Sequence, residues 1–309
     1  MTKKIIVGVD FSPEADLAAR QAIEIARHTG GEVVLVHAGD TVELPALGDG
    51  ASASAREAFE VYRSRLALAL ATHREQLSAL RERLSGQGPI VSQVLNEGFP
   101  DAALCEVAEK MHAGLVVVGT HGRTGLRWFF LGSVAAQVIR MCPTDVLVAR
   151  REGTGRGGFR RILVATDFSP TAERALDRAL DLAAVGAEVD VVHHYGVRWP
   201  ALVYTGAPLA AMPSPPDLIA QEIVATARAR GEELLAPRRR REVSLAFHAR
   251  GGTPVPGLVH RLEEHAYDLV AVGSHGRRGF RLFAVGSVAE AVVRRAPCSV
   301  LVARGGAGG

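Results

Sequence analysis

Short, nearly continuous apolar runs alternate along this chain with longer stretches in which apolar residues recur every three or four positions. Lys4 to Asp10 (Lys-Ile-Ile-Val-Gly-Val-Asp) reads as a buried strand ending in a carboxylate. Ser12 follows as a helix N-cap, with Pro13 suited to the first helical position. Ala15, Ala18, Ala19, Ala22, Ile23 and Ala26 keep helical spacing, and Gly30-Gly31 stops the helix. Val33 to His37 is a second strand, and an irregular stretch from Gly39 to Ser54 leads into a long helix over Ala55 to Leu84. A third strand, Ile90 to Leu95, ends in the turn Glu97-Gly98-Phe99-Pro100. A helix over Asp101 to Met111, a fourth strand Leu115 to Val118, a helix over Val134 to Arg140 and a fifth strand Val146 to Arg150 complete the series. Strands apolar on both faces and alternating with helices predict a parallel sheet covered on both sides.

The pattern then starts again. Arg151 to Gly158 is a glycine-rich linker by composition. Arg161 to Pro170 repeats the first strand and turn, including the identical Asp-Phe-Ser-Pro, and Val300 to Arg304 repeats Val-Leu-Val-Ala-Arg. Between them, Val189 to His194 reads as strand two, Val243 to Phe247 as strand three and Leu269 to Val272 as strand four. The chain is therefore expected to be an internal duplication, with a domain over 1–150, a linker over 151–159, a second domain over 160–304 and a frayed tail over 305–309. The fold class is α/β: two tandem Rossmann-like α/β domains, each an open five-stranded parallel sheet with helices on both faces. The proline-rich segment Val197 to Pro216 has no clear pattern.

Composition narrows the class only modestly. At 309 residues and 48% hydrophobic, the chain has material for two cores, and its formal net charge is only +3. The one concentrated basic run, Arg238 to Arg241, has no interleaved aromatics and is expected to be a solvated loop and not a nucleic-acid patch. Cys105, Cys142 and Cys298 form no CxxC pair, which fits a reducing compartment. No apolar stretch approaches the roughly 20 residues of a membrane span, and Met1 to Lys4 leads into a strand without signal-peptide character. The expectation is a soluble, cytoplasmic protein.

The chemistry concentrates in glycine-rich loops after the fourth strand of each half. Gly119, Gly122, Gly132 and Ser133 recur as Gly273, Gly276, Gly286 and Ser287, at a constant offset (273 − 119 = 154; 286 − 132 = 154). Glycines let backbone N–H groups approach an anion, and the following helix adds the positive end of its dipole. A dinucleotide-binding GxGxxG after the first strand is missing, as is a P-loop GxxxxGK. In an open parallel sheet, ligands bind at the carboxyl ends of strands where the order reverses. If strands one and four flank that reversal, Asp10 faces the loop at Gly119 and Asp167 the loop at Gly273. Either carboxylate could instead cap its helix. His121 and His275 occupy matching loop positions, as hydrogen-bonded loop residues or as chemistry; no Cys or carboxylate stands at metal-ligand spacing beside them.

Both Gly-x2-Gly-x9-Gly-Ser segments, with the first-strand aspartates, resemble the universal stress protein family in its tandem-domain form, over nearly the whole chain. The resemblance implies ATP as ligand, with Mg²⁺ entering only alongside its phosphates. It implies that Asp10 or Asp167 lies near the adenosine, that the glycine segments with Ser133 or Ser287 hold ribose and phosphates, and that backbone at Ala38 or His194 lies near adenine. His121, His275, Val134 and Val288 join the candidate set beside these. His194 departs from the commoner valine and could crowd the base. A nucleotide-dependent regulator or sensor in the stress response acting on a protein partner, a slow ATPase or nucleotide-dependent transferase, and a scaffold with one degenerate, non-binding half all remain open. The resemblance also implies antiparallel pairing of the two Val-Leu-Val-Ala-Arg edges as an intramolecular pseudo-dimer, with whole-chain dimers as a further state.

Overall fold

The structure, a computed structural model, describes residues 4–39, 52–86, 91–120, 131–150, 158–196, 216–275 and 285–305. The chain divides into two compact units, Met1–Glu152 and Gly153–Gly309. The first unit runs β1 (Lys4–Gly8), α1 (Pro13–Thr29), β2 (Glu32–Gly39), α2 (Ala53–Ser85), β3 (Val91–Glu97), α3 (Pro100–Lys110), β4 (Leu115–Gly119), α4 (Ser133–Met141) and β5 (Val146–Ala149). Its strands lie in the order β3-β2-β1-β4-β5, every neighbouring pair parallel. The second unit runs β6 (Phe159–Ala165), α5 (Pro170–Asp181), β7 (Ala183–Tyr195), α6 (Pro216–Leu235), β8 (Val243–Gly251), α7 (Pro254–Glu264), β9 (Leu269–Gly273), α8 (Ser287–Arg295) and β10 (Ser299–Ala303). Its order, β10-β9-β6-β7-β8, is the same, and again parallel. In both units the strand order reverses between the first and fourth strands.

The alanine-rich helices explain the tight packing around that reversal. Ser12 accepts from the N–H of Ala15 and Pro13 opens α1, whose buried stripe is Ala15, Ala18, Ala19, Ala22, Ile23, Ile25 and Ala26. Gly30 closes the helix in the left-handed region, at φ 70°. Small side chains bring the α1 backbone close to β1 and β4. α2 and α3 lie against β2, α3 also against β1, while α4 lies against β5. The 33-residue α2 is about 50 Å long at 1.5 Å per residue, yet only Leu77, Leu80 and Leu84 are buried, so its last turns alone hold it on the sheet.

Three expectations need correction. Asp10 does not end β1, which stops at Gly8; the carboxylate stands in the turn beyond. The second strand of the second unit does not start at Val189 but at Ala183, directly after α5. Its added portion pairs Phe159 with Ala183 before a register shift, and Gly186, at φ 80°, donates to the carbonyl of Glu242. Ala183 to Glu188 has no period-2 alternation, so its strand character comes from tertiary pairing. Finally, the basic run is not wholly solvated. Arg239 to Arg241 are exposed, but Arg238 donates to Asp177 on α5 at 2.6 and 3.2 Å, to Glu173 at 3.4 Å and to the carbonyl of Leu234 at 2.9 Å. The bond to Asp177 comes first among the causes that raise its pKa above the ordinary arginine value.

The units also differ in one interior layer. In the second, Asp190 of β7 accepts from Tyr267 Oη at 2.6 Å, Arg261 Nη2 at 2.8 Å and His248 Nε2 at 2.8 Å, and Arg261 Nε donates to Tyr267 Oη at 2.9 Å. Strand register and helix starts give these four the first-unit counterparts Val34, Val94, Val107 and Ala113. A hydrogen-bonded polar quartet thus stands where the first unit has apolar side chains.

Among the described residues no helix is long and apolar enough to cross a membrane, and no cluster of three metal-capable side chains occurs. The three cysteines are free.

Candidate functional site

In each unit the segments that follow the first and fourth strands come together at the carboxyl end of the sheet, where the strand order reverses. In the first unit the turn after β1 carries Asp10, whose Oδ1 accepts from the backbone N–H of Ser12 at 3.0 Å and from its hydroxyl at 2.5 Å. In the second, Asp167 Oδ1 accepts from Ser169 N–H at 3.0 Å. Both carboxylates thus fasten the turn, while the serines cap the helices. The residue between them is strained. Phe11 has φ 64° and Phe168 φ 60°, a region where a bulky side chain is an outlier. Recurrence in both units marks a requirement of this turn, and such strain gathers at functional sites.

Each phenylalanine ring is held by a histidine one residue before the predicted Ala38 or His194. Phe11 lies on His37, and Phe168 on His193, with ring centroids 4.6 Å apart in each case. His37 Nδ1 donates to Val9 O at 2.6 Å and His193 Nδ1 to Thr166 O at 2.8 Å, tying the second strand to the turn. A basic residue of the crossover helix completes each stack. In the first unit this is His73, hydrogen-bonded through Nδ1 to His37 Nε2 at 3.1 Å; in the second, the Arg230 guanidinium lies 4.6 Å from the Phe168 ring. Sequence reading missed His37 and His193 as strand interior. The signal that could have found them is their matching place in both halves.

The first glycine of each loop has a packing reason. A Cβ on Gly119 would stand 3.0 Å from Glu14 Cβ, C and O; on Gly273 it would stand 2.8 Å from Ala172 N and from Thr171 C and Oγ1. The third glycine closes the loop: Gly132 N–H donates to Thr120 O at 2.8 Å, and Gly286 N–H to Ser274 O at 2.7 Å. Gly132 and Gly286 are then the N-caps of α4 and α8, with no side-chain cap. The first intrahelical bonds come from Ala136 and Glu290, so the N–H groups of Ser133, Val134 and Ala135, and of Ser287, Val288 and Ala289, have no acceptor within the helix. Ser133 and Ser287 are exposed at those helix starts. The arrangement presents serine hydroxyls and bare helix N-termini beside the aspartate turn, a combination suited to an anion.

His121, Gly122 and Gly276 lie outside the described residues. His275 is placed at the mouth of its loop. Its carbonyl accepts from Thr171 Oγ1 and, at 3.4 Å, from Ser169 Oγ, and its Nδ1 lies 3.0 Å from Ser274 Oγ. Its Nε2 is buried without a hydrogen-bond partner. Burial first, then the charge of nearby Arg304, pushes the His275 pKa below the ordinary histidine value. Ala38 pairs with Asn96 at the end of β2. His194, its counterpart, turns its ring beneath α7, where a Cβ on Gly257 would fall 2.1 Å from the ring carbon Cε1.

A family model described as the universal stress protein family matches residues 1–150 and again 158–304. The chain belongs to the universal stress protein family. A universal stress protein of Mycolicibacterium smegmatis is 29% identical over 320 residues, covering 97% of this chain and 96% of that one. One from Methanocaldococcus jannaschii is 32% identical over 149 residues, 48% of this chain and 82% of its own, and one from Mycobacterium tuberculosis is 35% identical over 150 residues, 48% of this chain and 45% of its own. Among solved structures, a universal stress protein from Archaeoglobus fulgidus superposes with a TM-score of 0.67 at 18% identity, over 99% of this chain and 100% of that chain. At that identity the likeness concerns the fold, and that fold is the tandem α/β architecture of universal stress proteins.

Proposed function

We propose that this universal stress protein binds ATP in its crevices and acts as a nucleotide-dependent regulator or sensor in the stress response. The observation that carries the reading is the twofold pairing of an uncapped helix N-terminus with a hydrogen-bond-closed glycine loop, at the reversal of strand order. Phosphates fit the bare N–H groups of α4 and α8, with Ser133 and Ser287 donating hydroxyls. Asp10 and Asp167 face the sugar, and the ends of β2 and β7 at Ala38 and His194 face the base. The buried, unpaired Nε2 of His275 favours a ligand at the second loop, because a buried polar atom without a partner is costly. Mg²⁺ enters with the phosphates. Nucleotide-dependent ordering of the loops would then bias contact with a protein partner.

The test uses the intact chain. Isothermal titration with ATP is expected to give saturable binding, and Gly132→Leu and Gly286→Leu are each expected to remove one site. Those glycines have φ −57° and −64°, which any residue adopts, so the substitutions obstruct the crevice without straining the backbone. Absence of adenine-nucleotide heat in the wild type, with no nucleotide released on denaturation, would refute the reading.

A further inference from the structure

We propose that the second unit contains an acid-sensitive clasp: a proton on His194 loosens α7 from β7, while the first unit, apolar at the same positions, keeps α3 in place. α7 rests on β7 at two points four residues apart on each element. Gly257 lies against His194, and Arg261 bonds Asp190. The first-unit counterparts are Ala103 and Ala38 at the one point and Val107 and Val34 at the other, none of which titrates. An imidazole stands where the first unit has a methyl group on the strand, and a glycine where it has one on the helix.

His194 is a half-buried residue whose two ring nitrogens are both buried and without a hydrogen-bond partner. The approach to Gly257 leaves no room for a bridging water on that side. The charged and titratable groups around it offer a proton no relief. His193 is its neighbour on β7, Arg250 comes from β8 and Arg261 from α7. Asp190 is the nearby carboxylate on its face of β7, and its oxygens already serve Arg261, Tyr267 and His248. His248 donates to Asp190 through Nε2 in either charge state, so it needs no rearrangement.

Burial, then His193, Arg250 and Arg261, hold the His194 pKa below the ordinary histidine value. An opened α7 returns the ring to water and to a pKa of about 6.5. The closed form is therefore unpenalised above that value. It loses ground as pH falls below it, by up to about tenfold per pH unit for one proton, until the depressed pKa is passed. α7 begins at Pro254, just beyond the Gly252 turn that ends β8, so opening would start at the crevice end of the unit.

Hydrogen exchange of the full chain between pH 7.5 and 5.5, corrected for the intrinsic amide rate, tests the clasp without any nucleotide. The opening equilibrium of α7 peptides is expected to rise below about pH 6.5, by up to about tenfold per pH unit, with α3 peptides unchanged. The double variant His194→Ala/Gly257→Ala installs the first unit's own pair and is expected to keep α7 protected at pH 7.5 while abolishing the acid response. His194→Gln, which has no titrating ring, should abolish it as well. Equal responses in α3 and α7, persistence in both variants, or a His194 ring signal titrating at or above the ordinary value would overturn the proposal. A response removed by His248→Gln and not by the His194 variants would also overturn it.

Discussion

Gly273→Ala separates packing from ligand approach as the reason for the first loop glycine. The added Cβ would sit 2.8 Å from Ala172 N, Thr171 C and Thr171 Oγ1, against about 3.5–4.0 Å for comfortable carbon contacts. Two of the three atoms are backbone, so no rotamer change relieves the overlap; the first turn of α5 must move away from β9. That turn carries the cap from Ser169 Oγ to Ala172 N–H, 3.3 Å, and the Thr171 bond to His275 O. Overpacking costs about 1–3 kcal/mol and a weakened cap about 1 kcal/mol. Reduced freedom of the unfolded chain returns about 0.4–1 kcal/mol. The net loss is roughly 1–3.6 kcal/mol in the second unit, or about 2–14 °C in melting temperature at about 2–4 °C per kcal/mol. Calorimetry of the nucleotide-free chain measures it, with hydrogen exchange of α5 and β9 peptides locating it. Gly86→Ala, with nothing within 4 Å of the new Cβ, is the control and should cost no stability. A Gly273→Ala protein of wild-type stability that has lost only nucleotide affinity would refute the packing argument.

The polar layer of the second unit gives two more expectations. Replacing Asp190 alone with the first unit's Val strands Arg261 and should cost about 3–5 kcal/mol, whereas Asp190→Val with His248→Val, Arg261→Val and Tyr267→Ala together should be near neutral in denaturant unfolding. Cost in the quadruple variant equal to that in the single one would count against the pairing of the two layers. Tyr267, pushed up to about 12 by burial and by its bond to Asp190, should ionise well above the ordinary tyrosine value in a phenolate absorbance titration, in a phase that Tyr267→Phe removes. Because its folded pKa lies above the free value of about 10, its contribution to stability is complete below pH 10 and is lost as pH rises from there toward 12. Ionisation of all tyrosines together near the free value would contradict that geometry.

Local signals made much of the fold legible. Ser12-Pro13 marks a helix start because cap and proline act within one turn, and Ala15 to Ala26 keeps a period that only a helix satisfies. The duplication made two like domains legible, whereas the placing of strands one and four about the reversal entered only as a condition and is settled by the sheet order. What stayed hidden depends on partners distant in sequence. Arg238 looks like part of a solvated run until Asp177, 61 positions earlier, is brought beside it. His194 looked like an obstacle to a base because nothing local reveals that Gly257 makes room for it under α7. The left-handed Phe11 and Phe168 were equally silent, for their residue type argues against the conformation the turn imposes. Within the candidate site, the glycine spacing was visible from the start. The close helix approach that requires Gly119 and Gly273 was not.

The bonds from Gly132 to Thr120 and from Gly286 to Ser274 join the two ends of each loop at its base. Closing the base in this way makes loop length inexpensive to change, since each doubling adds only about 0.6 kcal/mol of closure entropy. Each copy of the duplicated gene could therefore rewrite its own loop without endangering either sheet. One polypeptide thereby carries two loops that can diverge in length and sequence on a common frame.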